Sequence, residues 1–184
     1  MCGISCLVNF RDNSDLQLNI KNMMRSLNHR GPDYSNYYLY KNVGIAHNRL
    51  SIIDLTDKAR QPFKSKDGRY YLSYNGEIYN FIELKKILED YGYSFSSTSD
   101  TEVVLYSLIH WGDLAIEKFN GMFAFILFDK LLGEIIIGRD RYGIKPLYYC
   151  NDSGYFAIAS EQKAILQINN YYKDLDYTAL YEYF

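Results

Sequence analysis

The run Met122–Phe128 reads Met-Phe-Ala-Phe-Ile-Leu-Phe, with no polar residue at any position. A strand that is apolar on both faces must be covered on both, so it belongs to a sheet buried between layers. Three more short strand candidates follow, Glu134–Gly138, Leu147–Cys150 and Tyr155–Ala159, punctuated by Asn120-Gly121 and Asn151–Gly154. The N-terminal part adds a strand over residues 3–10 and extended stretches at Tyr34–Tyr40 and Val43–Ile53. Asp67-Gly68 before Arg69–Tyr74 signals a hairpin.

Helical spacing recurs three times. Leu16, Ile20, Met23, Met24 and Leu27 mark one apolar face, with Ser14 and Gln17 as a capping box. That helix should stop before Arg30-Gly31-Pro32, because the residue preceding a proline resists the helical region. Phe81, Leu84, Leu88 and Tyr91 mark a second helix that Gly92 ends. Ser99 and Asp100 are N-cap types for a third, Thr101–Trp111, closed by Gly112. The implied class is α+β, two mostly antiparallel sheets with helices outside. At 184 residues this is one domain with room for a sizeable core. A final helix opens at Asp176 and stops within Tyr177–Phe184, and the expectation is a longer polypeptide.

Composition excludes several classes. Twenty Lys and Arg against 22 Asp and Glu leave a net charge of -2, with no electrostatic footprint for nucleic acid or an anionic membrane. Aromatic residues at 17% rule out a disordered chain. The apolar first ten residues lack the positive flank and cleavage site of a signal peptide, and no run is long enough to span a bilayer. Cys2, Cys6 and Cys150 form no disulfide framework, which implies a reducing cytoplasm; Asn151-Asp152-Ser153 then reads as a turn and not a glycosylation site.

Cys2 directly follows the initiator methionine. Removal of that methionine would leave one residue carrying a thiol and a free α-amine. The amine is a base at neutral pH and the thiol a nucleophile, so no histidine partner is needed. Alone, Cys2 reads better as a small apolar residue opening a buried strand, because free cysteine is among the most buried residue types. His29, His47 and His110 are scattered, the Cys2/Cys6 spacing is not a zinc signature, and no phosphate-binding glycine motif is present. Asn75-Gly76 is a tight-turn signal, or else two adjacent donors of the kind an oxyanion hole requires. Arg30 and Arg49 could grip a carboxylate, and Asp100 could cap its helix or bind an ammonium. A thiol, an arginine and one or two carboxylates together suit a free amino acid with a reactive side-chain carbonyl.

In order along the chain stand Met1–Ile4, His29–Asp33, Ala46–Asp54, Gln61-Pro62, Asn75–Asn80, Ser99–Glu102, Asn120–Phe125, Arg139–Tyr149 and Ala159–Glu161. With these blocks the whole chain resembles the N-terminal glutaminase domain of asparagine synthetases, a class II glutamine amidotransferase of the N-terminal-nucleophile hydrolase type. The resemblance implies a four-layer αββα sandwich and hydrolysis of L-glutamine to glutamate and ammonia through a Cys2 thioester. It implies that the α-amine shuttles the proton and that Asn75 and Gly76 form the oxyanion hole. Arg49 would hold the α-carboxylate, and Glu77, Asp100 and the Gly76 carbonyl the α-amine. Leu50, Ser51, Ile52 and Ile53 would line the pocket. Arg30–Asp33 receive no role, and Arg139–Tyr149 would shape the sheet edge and the face toward a partner domain.

The same resemblance implies a C-terminal synthetase domain as partner, which uses ATP and magnesium to amidate aspartate, and it is compatible with a homodimer. Residues 1–184 would need no cofactor or metal of their own. The synthetase signature Ser-Gly-Gly-x-Asp-Ser is absent from the chain. Two alternatives stand beside this reading: a glutaminase domain serving another acceptor, in a surface-polysaccharide or aminosugar pathway, and a non-catalytic module that binds glutamine or docks a partner.

Overall fold

The computed structural model describes residues 1–10, 15–52, 54–169 and 175–184. One sheet is ordered β2-β3-β1-β9-β8, from Tyr34–Tyr40, Val43–Arg49, Gly3–Asn9, Tyr155–Ala159 and Tyr148–Asn151. The other is β4-β5-β6-β7, from Phe63–Lys64, Tyr70–Ile78, Gly121–Asp129 and Glu134–Arg139. Every pairing is antiparallel.

Three apolar clusters define the layers. Ile4, Cys6, Ile45, Ile158, Tyr71, Ala124, Ile126 and Phe128 fill the space between the sheets. Leu72, Tyr74, Ile78, Phe125 and Leu127, on the opposite face of β5 and β6, pack against α2 (Phe81–Asp90) and α3 (Asp100–Trp111). Leu7, Ala46, Ala157 and Ala159 pack against α1 (Leu16–Ser26) and the short α5 (Gln162–Ile165). The order is helices, sheet, sheet, helices: an αββα sandwich. It accounts for the uninterrupted apolar run of β6, whose alternate residues enter two different cores.

Local signals mostly match the elements. Gly68 closes the β4–β5 turn through its N–H to the Ser65 carbonyl, 2.9 Å. The Ser99 hydroxyl caps α3, accepting from the Thr101 N–H at 3.2 Å, and the helix begins one residue before Thr101, at Asp100. Asp176 caps the last helix, α6 (Tyr177–Tyr183), the short α4 being Ala115–Lys118. Two expectations change. The extended stretch from Val43 leaves the sheet after Arg49. Asn75-Gly76 is no turn: both lie inside β5, opposite Ala124 and Phe123. The capping box on Ser14 lies outside the described residues. Among the described residues, no helix is long and apolar enough to cross a membrane.

Candidate active site

Strand alternation brings the site together. Ile4 and Cys6 on β1, Ile45 on β3 and Tyr71 on β5 face the space between the sheets. With a period of two, Cys2, Arg49 and Asn75 share that orientation at one end of the sandwich. They line a cleft of about 160 Å³ with Leu50, Gly76, Glu77 and Asp100. The sheets are stapled just behind it, by the Ser73 hydroxyl donating to the Ala46 carbonyl at 2.9 Å and by His47 Nε2 on the Tyr74 carbonyl at 3.0 Å. Burial pushes the His47 imidazole down to about 3, so it is neutral and a structural donor.

Cys2 is held by backbone and by an arginine. Its Sγ accepts from the Leu50 N–H at 3.4 Å, and Arg30 Nε donates to its carbonyl at 2.9 Å. Arg30 Nη1 is anchored on Glu161 at 2.8 Å, and His29 and Lys163 reach the same carboxylate. Burial would raise the Glu161 carboxyl, but Arg30, Lys163 and His29 together hold it at about 2. Ser160 fixes the adjoining strand, its hydroxyl accepting from the Ile4 N–H at 3.0 Å. Burial pushes the Cys2 thiol up; the Leu50 hydrogen bond, the terminal ammonium, Arg49 and Lys145 pull it back. The block Arg30–Asp33, given no role from sequence, therefore sets the nucleophile candidate. Gly31 lies so close to β3 that a Cβ would stand 2.3 Å from the Asn48 carbonyl oxygen, and Asp33 accepts the Ser51 N–H at 2.7 Å.

On the facing strand, the Tyr74 N–H points off the edge of β5 to Gln61 Oε1, 2.7 Å, and the Ile78 N–H to Asp100 Oδ2, 3.1 Å. In an antiparallel strand with β6 on its other side, amides alternate in direction, so the Gly76 N–H between them points off the same open edge. The buried Asn75 Nδ2 has no hydrogen-bond partner among the described residues. These are two adjacent donors without an internal use. Gly76 has no room for a side chain, since a Cβ would stand 2.6 Å from the Met122 carbonyl oxygen and 2.7 Å from the Tyr74 hydroxyl.

Asp100 is buried, accepts from the Tyr74 hydroxyl at 2.8 Å, and has its pKa raised by burial and by the Glu77 charge. The Arg49 guanidinium donates to the Thr56 carbonyl at 3.0 Å and to the Asp54 carbonyl. Leu50 and Ile52 line the cleft; Ser51 does not, its amide being turned to Asp33. Ile53 lies outside the described residues. Sequence reasoning passed over Tyr74, Gln61, Asp54, Met122 and Lys145, which also line the cleft. Gln61, Asp54, Met122 and Lys145 carried a signal in their motif blocks, but nothing there told lining residues from structural ones. Among the described residues, no cluster of three His, Cys, Asp or Glu side chains could hold a metal.

The sequence matches the glutamine amidotransferase domain family over residues 1–184. The chain belongs to that family. Within it, the chain is 41% identical over its whole length to asparagine synthetase [glutamine-hydrolyzing] 1 of Bacillus subtilis, covering 29% of that protein. It is 37% identical to a putative asparagine synthetase [glutamine-hydrolyzing] 2 of Methanocaldococcus jannaschii, over 91% of this chain and 35% of that one. The amidotransferase domain thus spans about a third of these relatives' length. Its fold is shared with the glutamine phosphoribosylpyrophosphate amidotransferase of B. subtilis, with a TM-score of 0.75 and 21% identity over 89% of this chain and 43% of that one.

Proposed function

We propose that this domain hydrolyses L-glutamine to glutamate and ammonia with Cys2 as nucleophile. The observation that carries the reading is the unpartnered Asn75 amide nitrogen beside the outward Gly76 N–H, in the cleft that Cys2 lines. The Cys2 α-amine takes the thiol proton as the sulfur forms a bond to the side-chain amide carbon, and the carbonyl π pair moves to oxygen, where the Asn75 and Gly76 donors receive the charge. Collapse of that adduct breaks the C–N bond, and the departing nitrogen takes a proton from the Cys2 α-ammonium. Water then cleaves the thioester by the reverse sequence of proton transfers. Arg49 is the side chain for the substrate α-carboxylate, and Glu77 with Asp100 for its α-ammonium.

The α-amine belongs to Cys2 only after Met1 is removed, so the active species is the processed chain. In the whole protein we read residues 1–184 as the amidotransferase domain of a cytoplasmic asparagine synthetase. A following synthetase domain would use ATP and magnesium, and the ammonia would pass to it to amidate aspartate. The names of the two relatives above and three free cysteines support that reading.

The test is ammonia release from glutamine by the chain with its N-terminal mass determined. Cys2→Ala should abolish release while glutamine still binds, and a glutamine-mimicking electrophile should label Cys2 alone. Ammonia release retained by Cys2→Ala would overturn the reading.

A further inference from the structure

The block Arg139–Tyr149 was expected to shape a sheet edge. The structure gives it a more specific task. It forms the crossover from β7 in one sheet to β8 in the other, and two side chains fix its path. Asp140 Oδ1 accepts the Tyr142 and Ile144 N–H groups at 3.1 and 2.9 Å, and Oδ2 accepts those of Lys145 and Phe123 at 3.0 and 3.3 Å. Arg139 donates to the Lys145 and Gly143 carbonyls at 2.8 and 2.7 Å. Phe123 is the β6 residue opposite Gly76. The crossover is therefore pinned beside the strand that carries the Gly76 N–H.

This frame presents Lys145 to the cleft. Lys145 is only 7% exposed, yet its ammonium has no hydrogen bond or ion pair among the described residues. The residue is largely covered while it lines the cleft, so the groups its ammonium can meet are those of the cleft. Arg49, on the β3 flank of Cys2, is tethered by the Asp54 and Thr56 carbonyls and turns its remaining donors to the substrate carboxylate. Lys145 arrives from the β8–β9 flank with its charge uncommitted.

We propose that Lys145 is the cation that meets the negative charge of the Cys2 sulfur and of the oxyanion formed beside Asn75 and Gly76. The proposal rests on Cys2 being the nucleophile. Lys145 transfers no proton; its charge stabilises the thiolate before attack and the displaced π pair after it. It acts among other charges in the cleft: the terminal ammonium and Arg49 with the same sign, and Glu77 and Asp100 opposing, while burial keeps the Tyr74 phenol neutral. Asp54 is engaged by Thr56 and Thr98, and Arg30 by the Cys2 carbonyl and Glu161.

The experiment compares the processed wild-type chain with Lys145→Met, Lys145→Gln and Lys145→Arg. Cys2 alkylation by iodoacetamide is followed peptide by peptide between about pH 5 and pH 10, because the rate tracks the thiolate fraction. Peptide resolution separates Cys2 from Cys150; Cys6 is buried, and that burial pushes its thiol up to about 12. Steady-state ammonia release supplies kcat and KM. Lys145→Met and Lys145→Gln should move the alkylation profile to higher pH and lower kcat roughly ten- to a hundredfold, with KM changed less than about twofold. Lys145→Arg should restore most of both. The fixed contacts of residue 145 are backbone contacts, so thermal unfolding should match wild type. An unmoved alkylation profile overturns the proposal, as does a raised KM with kcat intact, which would make Lys145 a substrate contact. Either result leaves the Cys2 reading standing; ammonia release by Cys2→Ala is the separate outcome that removes it.

Discussion

Replacing Asp54 with Asn removes the charge that ties together the loop after β3. Asp54 Oδ1 accepts the Thr56 N–H at 2.8 Å and the Thr56 hydroxyl at 2.6 Å. Its Oδ2 accepts the Thr98 N–H and hydroxyl, both at 3.1 Å. The Thr56 hydroxyl, working against burial and joined by the other three donors, holds the carboxyl at about 2, below the ordinary 3.8. That difference corresponds to about 2 kcal/mol in favour of the folded chain. An asparagine offers one acceptor oxygen and turns an N–H₂ toward two of the donors. The sign follows from linkage. A carboxyl whose folded pKa is depressed stabilises the fold above the unfolded pKa, and that contribution fades as pH falls from 3.8 through about 2. Urea denaturation of wild type and Asp54→Asn should show a gap of about 2 kcal/mol at neutral pH, closing as the pH drops through that window. The same change loosens the carbonyls that hold Arg49, so KM for glutamine should rise. A gap that is absent, or constant from neutral pH to acid, refutes the reasoning.

Two further outcomes concern the site's framework. Gly76→Ala should cost about 1–3 kcal/mol of stability, from the contacts its Cβ would make with Met122 and Tyr74, and should displace the outward N–H. Ammonia release and a melting curve measure the two effects, and wild-type kcat would contradict them. Arg30→Met should release the Cys2 carbonyl and leave Glu161 with less support, lowering kcat/KM about a hundredfold through misplacement of the sulfur. Arg30→Lys should not rescue it, because one ammonium cannot reproduce a fork that serves a carbonyl and a carboxylate at once. Recovery by lysine would show that charge alone suffices.

The layering was legible because β6 is apolar on both faces, a pattern only a doubly covered strand satisfies. The helices announced themselves through spacing and through Ser99. Asn75-Gly76 misled the local reading, since Asn-Gly favours turns wherever local propensity decides; here the ladder with β6 decides, and the glycine is required by the closeness of Met122 and Tyr74. Cys2, Arg49, Asn75, Gly76, Glu77 and Asp100 were legible as one set only through the ordered blocks. Their meeting depends on two sheets facing each other, which no single segment encodes. The tasks of Arg30, Asp54 and Lys145 were hidden for the same reason: each acts on residues distant in sequence, and a charged side chain read alone is a solvated one.

The clamp between Arg30 and Glu161 has a consequence for how the domain matures. β1 lies in the middle of its sheet, between β3 and β9, and the arginine that orients Cys2, the residue just before it, is braced by a carboxylate from beyond β9. Most of residues 1–161 must have collapsed before that brace exists, and such long-range closure is the slow part of folding. A shortened nascent chain ending before residue 161 would thus carry a loosely held thiol at its tip. A thiol made at the start of synthesis gains its brace only once residue 161 is in place.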